Sequence, residues 1–203
     1  MLAYESLRES LKSLQMTAAE NSLDNVLESA RTEELSIIDT MDKLMRIESD
    51  ARHERRVTAN SRFAGLPYRR TLEEFEFSAQ PSIDKDLIER LSTLRFIDEG
   101  TNVIFLGPPG VGKTHLAVAL LLKALEAGNR VFFISMSTLI RKHADNIRKG
   151  MPSRMLTNLI KPAVLVLDEI GYTPLDTEAA TLLFDVIDIR YRKRKPIILT
   201  SNK

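Results

Sequence analysis

Apolar residues recur at three- and four-residue spacing from the start of the chain. Tyr4, Leu7, Leu11 and Leu14 form one stripe, and Leu23, Val26, Leu27 and Ala30 a second; this is the period of amphipathic helices. Thr17 with Glu20 has the form of a capping box opening the second helix. Thr32 is expected to start a third, whose stripe of Leu35, Ile38, Met41, Leu44 and Met45 fades after Ile47 into a polar, arginine-rich half. Beyond Pro67 comes a connector with Leu72, Phe75 and Phe77, then a helix opened by Ser82 as N-cap and carrying Leu87, Ile88, Leu91 and Leu94. The pattern then changes: short apolar runs at 103–106, 131–135, 163–167 and 196–200 alternate with helix-period segments. Helices are expected over 115–127, 137–149, 152–160 and 176–193, the last with Leu182, Leu183, Val186 and Ile187 inward, while 98–102 reads as a turn. Short continuous apolar runs separated by helices predict a parallel sheet with helices on both faces. The expected division is a helical N-terminal domain (1–66), a connector (67–80) and an α/β domain (81–203).

Composition changes this picture little. The 203 residues are 43% hydrophobic and 28% charged and include no cysteine, which excludes a disulfide framework and a thiolate zinc site. The longest apolar run, 116–122, is too short to span a bilayer, and the first residues hold Glu5 and Glu9 with no signal core. A cytoplasmic location is therefore expected, with no membrane partner. The net charge of +1 hides a strong local bias. Residues 1–45 hold nine acidic and four basic side chains, whereas residues 46–70 hold seven arginines against three acids. Two further basic clusters are Arg141, Lys142, Arg148, Lys149 and Arg154, then Arg190, Arg192, Lys193, Arg194 and Lys195. Each fits either a polyanion-binding surface or a solvated helix face.

Chemistry enters at residues 107–114. Gly107, Pro108, Pro109, Gly110, Val111, Gly112, Lys113 and Thr114 match G-x-x-x-x-G-K-[ST] at every fixed position, between an apolar strand and a helix that begins at His115, and these eight with His115 are the expected nucleotide-binding residues. The glycines let backbone N–H groups turn toward phosphates, and the helix N-terminus favours an anion. Lys113 would sit on the β/γ-phosphates and the Thr114 hydroxyl would ligate Mg2+. The third apolar run ends in Asp168-Glu169. At the carboxyl end of a parallel strand both carboxylates would emerge beside the phosphate loop. Asp168 is expected to hold Mg2+ and Glu169 to orient the water that attacks the γ-phosphate. Asn202, after the fourth run, would sense that phosphate or help hold the water.

These motifs are those of P-loop ATPases of the additional-strand (ASCE) division. Asp168-Glu169-Ile170-Gly171-Tyr172 with Pro174-Leu175, Arg190-Tyr191, Thr200-Ser201-Asn202 and the Gly-Lys-Thr-His-Leu-Ala loop together resemble the IstB family. That family comprises ATP-dependent helpers of insertion-sequence transposition and is related to the DnaC helicase loader. The resemblance covers nearly the whole chain. It implies an AAA+ ATPase that uses ATP and Mg2+, forms a homo-oligomer on DNA through phosphate contacts, and activates a transposase. The family's core continues with a helix, a fifth strand and an arginine that reaches a neighbour's nucleotide, whereas this sequence stops at Lys203. The expectation is ATP binding with weak hydrolysis, an arginine finger being worth about 10³ to 10⁵ in rate.

Three other readings stay open. A helicase loader shares the motifs. A DNA-binding scaffold could carry a vestigial nucleotide pocket. A GTPase is suggested by Asp168-x-x-Gly171 and terminal Asn202-Lys203, although a Ras-like topology interposes another strand-helix unit between those motifs. His53, His115 and His143 have no ligand spacing, so packing or solvent roles are expected of them.

Overall fold

The computed structural model describes residues 2–151 and 153–202. It forms two compact units, 1–58 and 59–203. The division falls within the third helix, earlier than the sequence suggests, because residues 60–65 already belong to the second unit. There the Asn60 amide donates to the Gly128 carbonyl (3.2 Å) and Phe133 N–H donates to the Ala64 carbonyl at 2.7 Å.

The first unit contains α1 (Leu2–Ser13), α2 (Thr17–Thr32) and most of α3 (Ile37–Ser61). Leu11, Ala19, Leu23, Val26 and Leu44 make its small core. Two expectations need correction. The third helix starts at Ile37 rather than Thr32, where the Ser36 hydroxyl accepts the Asp39 N–H at 3.1 Å, so α2 keeps Thr32 as its own end. No capping box forms at Thr17. Instead Glu48, on α3, reaches the N-terminus of α2 and accepts the N–H groups of Ala18 (2.8 Å) and Ala19 (3.2 Å). A distant carboxylate thus takes the role of a cap and complements the helix dipole. The apolar stripe of α3 is only partly buried: Ile38 is 79% exposed and Met41 59%.

The second unit is built on a parallel sheet of β1 (Val103–Leu106), β2 (Val131–Ser135), β3 (Val164–Ile170) and β4 (Ile197–Ser201), in the order β1-β4-β3-β2. Helix α6 (Lys113–Glu126) covers one face; its residues Leu116 to Leu122 are all nearly inaccessible, which explains an apolar run with no polar side. The other face is covered by α7 (Met136–Arg148), α8 (Ser153–Ile160) and α9 (Thr177–Arg192). There Leu139, Met155, Leu159, Leu182 and Val186 meet Leu165 and Leu167. Strand alternation turns Val164 and Val166 to the opposite face. All four strands lie within a residue or two of the apolar runs that foretold them, and β3 extends further, through both carboxylates.

Smaller elements differ from the pattern-based reading. Residues 95–99 form a short helix, α5 (Arg95–Glu99), where part of a turn was expected, and α4 (Lys85–Ser92) is capped by Asp84, not Ser82. Pro152, expected to open α8, lies outside the described residues. On α9 the inward position expected of Ile187 is 43% exposed. Arg190, counted above with a surface cluster, is instead fully buried. Its guanidinium donates to the carbonyls of Leu159 (2.9 Å), Pro162 (3.0 Å), Ala163 (3.1 Å) and Pro196 (2.6 Å). Burial pushes its pKa down to about 10, so it stays charged near neutrality. Lys195 likewise donates to the carbonyls of Ile160 and Lys161. These two cations secure the entry to β3 and β4, and Arg190, being fully buried, is not part of a polyanion surface.

Candidate functional site

The order of strands decides what meets at the carboxyl edge. Because β4 lies between β1 and β3, the loop after β1, the acidic end of β3 and the polar end of β4 come together. The phosphate-loop motif supplies the first part. Gly110 (φ +84°) and Gly112 (φ +88°) occupy the left-handed region that a side chain disfavours. At Gly112 space is a second constraint, since an added Cβ would lie 2.5 Å from the Phe75 ring. Gly112 then caps α6, whose first residue is Lys113. The Lys113 ammonium donates to the carbonyls of Gly107 (2.8 Å) and Pro108 (2.7 Å).

Thr114 and Asp168 are 54 residues apart in sequence, yet the Thr114 hydroxyl donates to Asp168 Oδ1 at 2.9 Å. Asp168 is buried at the end of β3, paired across the sheet with Ser135 of β2. A second hydroxyl, that of Thr200 on β4, donates to the same Oδ1 at 2.5 Å. The Glu169 backbone N–H donates in turn to the Thr200 hydroxyl at 2.9 Å. Glu169 itself has φ +62°, an unusual value for a residue with a side chain.

A cleft of about 550 Å³ opens over these groups. Residues 109–115 line it together with Glu169 and Asn202, so most of the expected site shares one cavity. Gly107 and Pro108 stand behind it, holding Lys113 through their carbonyls, and Asp168 faces a neighbouring cleft of about 530 Å³. The connector closes the first cleft: Tyr68, Arg70 and Phe75 line it, with the Arg70 guanidinium 5.9 Å from the centre of the Tyr68 ring. Burial, followed by the charge of Asp168, pushes the Tyr68 phenol pKa up. His115 faces this connector. Its ring meets Phe75 edge-on at 5.1 Å, and Nε2 lies 2.8 Å from the Thr71 carbonyl. A carbonyl can only accept, so Nε2 carries the proton.

Sequence reasoning missed Thr200, Tyr68, Arg70 and Thr71 as parts of the site and left Phe75 as a packing aromatic. Thr200 had a usable signal, since a hydroxyl at the tip of a strand beside β3 must lie near Asp168. The connector had none. Of the three basic clusters, the one on α7 and α8 keeps Arg141, Lys142, Lys149 and Arg154 exposed, and among the described residues only Arg148 of this cluster forms an ion pair, with Asp145. Lys203, the second half of the expected guanine motif, lies outside the described residues. Among those residues no group of side chains is arranged as a metal-binding cluster of histidines and acids, and no helix is long and apolar enough to cross a membrane.

Comparison with protein families matches residues 9–203 to the model described as IstB-like ATP binding protein. The chain belongs to the IstB-like ATP binding family. A relative named for ATP binding in insertion sequence IS21 of Pseudomonas aeruginosa is 41% identical over 193 residues, which are 95% of this chain and 72% of the relative. Another, named for ATP binding in insertion sequence IS5376 of Geobacillus stearothermophilus, is 40% identical over 87% of this chain and 70% of its own length. Among solved structures, the DnaC helicase loader aligns with a TM-score of 0.54 at 30% identity, over 69% of this chain and 77% of that one. AMPPCP-bound DnaA from Aquifex aeolicus aligns with a TM-score of 0.59 at 23% identity, over 68% and 43%; at that identity it shows the fold alone. The fold is that of the P-loop AAA+ proteins, as the IstB resemblance implied.

Proposed function

We propose that this IstB-like chain is an ATP-dependent helper of insertion-sequence transposition that binds ATP with Mg2+, assembles on DNA and activates a transposase. The observation that carries the reading is the 2.9 Å contact between Thr114 and Asp168, which joins the two halves of a nucleotide site beside Lys113. Lys113 neutralises phosphate charge, and the loop amides cradle the phosphate oxygens. The Thr114 hydroxyl and the Asp168 carboxylate are hard oxygen donors that suit Mg2+, and they already stand together. When bound, Mg2+ neutralises charge on the phosphates. Glu169 and Asn202, on the same cleft, orient the attacking water and respond to the γ-phosphate. The exposed cations of α7 and α8 meet DNA phosphates, with no aromatic base-reading platform among them.

The experiment is nucleotide binding followed by assembly. The parent protein takes up a fluorescent ATP analogue in the presence of Mg2+, and Lys113→Ala loses that uptake together with ATP-dependent assembly on DNA. DNA affinity falls steeply with salt, and the fall is shallower when Arg141, Lys142 and Lys149 are neutralised. Absence of Mg2+-dependent nucleotide uptake by folded parent protein would falsify the reading. The likeness to the DnaC helicase loader favours a second partner class; co-assembly with a replicative helicase rather than a transposase would select it.

A further inference from the structure

We propose that Thr200 is the positioning residue of this site, setting the Asp168 carboxylate and the aim of Glu169 through one hydroxyl. The inference rests on the reading of the cleft as a site for Mg2+ and a nucleotide. It begins with the register of the sheet. Leu167 is paired with Leu199 and Ile170 with Ser201. Between these pairs β3 therefore carries two residues, Asp168 and Glu169, where β4 carries one, Thr200. That is a bulge, a device that re-aims side chains and leaves a ladder group unpaired. Here the group is the Glu169 N–H, and it donates to the Thr200 hydroxyl at 2.9 Å.

A hydroxyl has a single proton, and that of Thr200 is committed to Asp168 Oδ1 at 2.5 Å. The two bonds thus fix each other's direction. Thr200 is 1% exposed, so water has no ready access to replace either bond. Its β-branched side chain is also stiff at χ1, which holds the oxygen where both partners need it. Glu169 at φ +62° lies in the left-handed region, which is disfavoured for a residue with a Cβ. The bond to Thr200 supports that conformation directly. Without the hydroxyl, the chain would either leave a buried N–H unpaired or slip toward regular pairing, and a one-residue slip turns side chains to the opposite face. Either change disturbs the carboxylate that shares a contact with Thr114 and moves Glu169 relative to the cleft.

The test compares Thr200→Val, which keeps shape and removes the hydroxyl, with Thr200→Ser, which keeps the hydroxyl. Binding of a fluorescent ATP analogue is titrated in EDTA and across a range of Mg2+ concentration. For Thr200→Val, metal-free affinity stays within about twofold of the parent while the Mg2+ midpoint rises about tenfold or more, the usual consequence of losing a group that orients a metal ligand. Thr200→Ser restores the midpoint to within about threefold of the parent. Where turnover is measurable, kcat of Thr200→Val, referred to the concentration of folded protein so that a mere loss of stability does not count, falls with KM for the nucleotide little changed. If Thr200→Val fails to fold, Thr200→Cys, with a weak donor in place of a strong one, carries the same comparison. A Mg2+ midpoint at the parent's value in Thr200→Val, or Thr200→Ser as impaired as Thr200→Val, overturns the role of Thr200 alone. If the folded parent shows no Mg2+-dependent uptake, the functional reading fails first and the positioning role falls with it.

Discussion

Each unit carries a buried charged side chain that gathers backbone groups, and the two are of opposite sign. Glu48 in the helical unit collects two N–H groups at the start of α2 and is flanked by Arg52 at 2.7 Å and Arg55 at 3.0 Å. Arg190 in the α/β unit collects four carbonyls and has no carboxylate among its described partners. The difference lies in titration. The hydrogen bond from Arg52, supported by the backbone bonds of Ala19 and Ala18 against the opposing effect of burial, lowers the Glu48 pKa to about 2. Arg190, whose pKa burial lowers only to about 10, keeps its proton at neutral and acid pH. One unit is therefore fastened by a group that acid can disarm, and the other by one that acid cannot.

The largest expected effect comes from removing the second fastening. Arg190→Met leaves four buried carbonyls without their donor, and the α/β unit should lose about 3–5 kcal/mol. Hydrogen exchange resolved by peptide should show faster opening around residues 159–165 and 195–198, with the helical unit unchanged. Arg190→Lys should recover only part of the loss, because an ammonium cannot reproduce the planar fork.

The next effect is smaller and depends on pH. A carboxylate whose pKa is lower in the folded state than in the unfolded state stabilises fully above the unfolded value and loses that contribution as pH falls through the folded one. Protection of the helical unit should accordingly decline from pH 4.5 toward about 2. Glu48→Gln should lower protection of α2 at neutral pH and flatten its acid dependence, leaving nucleotide affinity in the α/β unit unaltered. An equal loss of protection in both units would erase the contrast between them.

The smallest effect belongs to a pair that resembles Glu48 and Arg52 in sequence spacing but not in environment. Asp42 and Arg46 are also four residues apart on α3, yet their side chains are 56% and 76% exposed. Arg46→Ala should change stability by less than about 0.5 kcal/mol in chemical denaturation. A cost comparable to that of Glu48→Gln would mean that burial is not what separates the two pairs.

The edge that carries the candidate site was legible in the sequence because its chemistry is local. Residues 107–114 and Asp168-Glu169 each sit where an apolar run ends, and strand alternation with helices places both ends at one edge. The buried charges were not legible for the converse reason. Glu48 looked like one acid among many on a fading stripe, and its partners at Ala18 and Ala19 lie about thirty residues away. Arg190 looked like the first of five cations, although the α9 period that buries Leu182 and Val186 continues to position 190. Charge counting treated it as surface, while helical phase would have placed it inside. Thr200 carried a partial signal as a hydroxyl at a strand tip, but the two-against-one bulge that gives it its second partner depends on pairing between strands, which no single stretch records.

The position of β4 also constrains how this protein is made. It is the latest of the four described strands, yet it lies between β1 and β3, with Val103 paired to Ile198. A nascent chain that has left the ribosome only as far as β3 can pair β2 with β3, while β1 has no neighbour to join. The phosphate loop is thus synthesised long before the strand that links it to its acidic counterpart. Such distant pairing is slow and leaves strand edges open to wrong partners until β4 has been made.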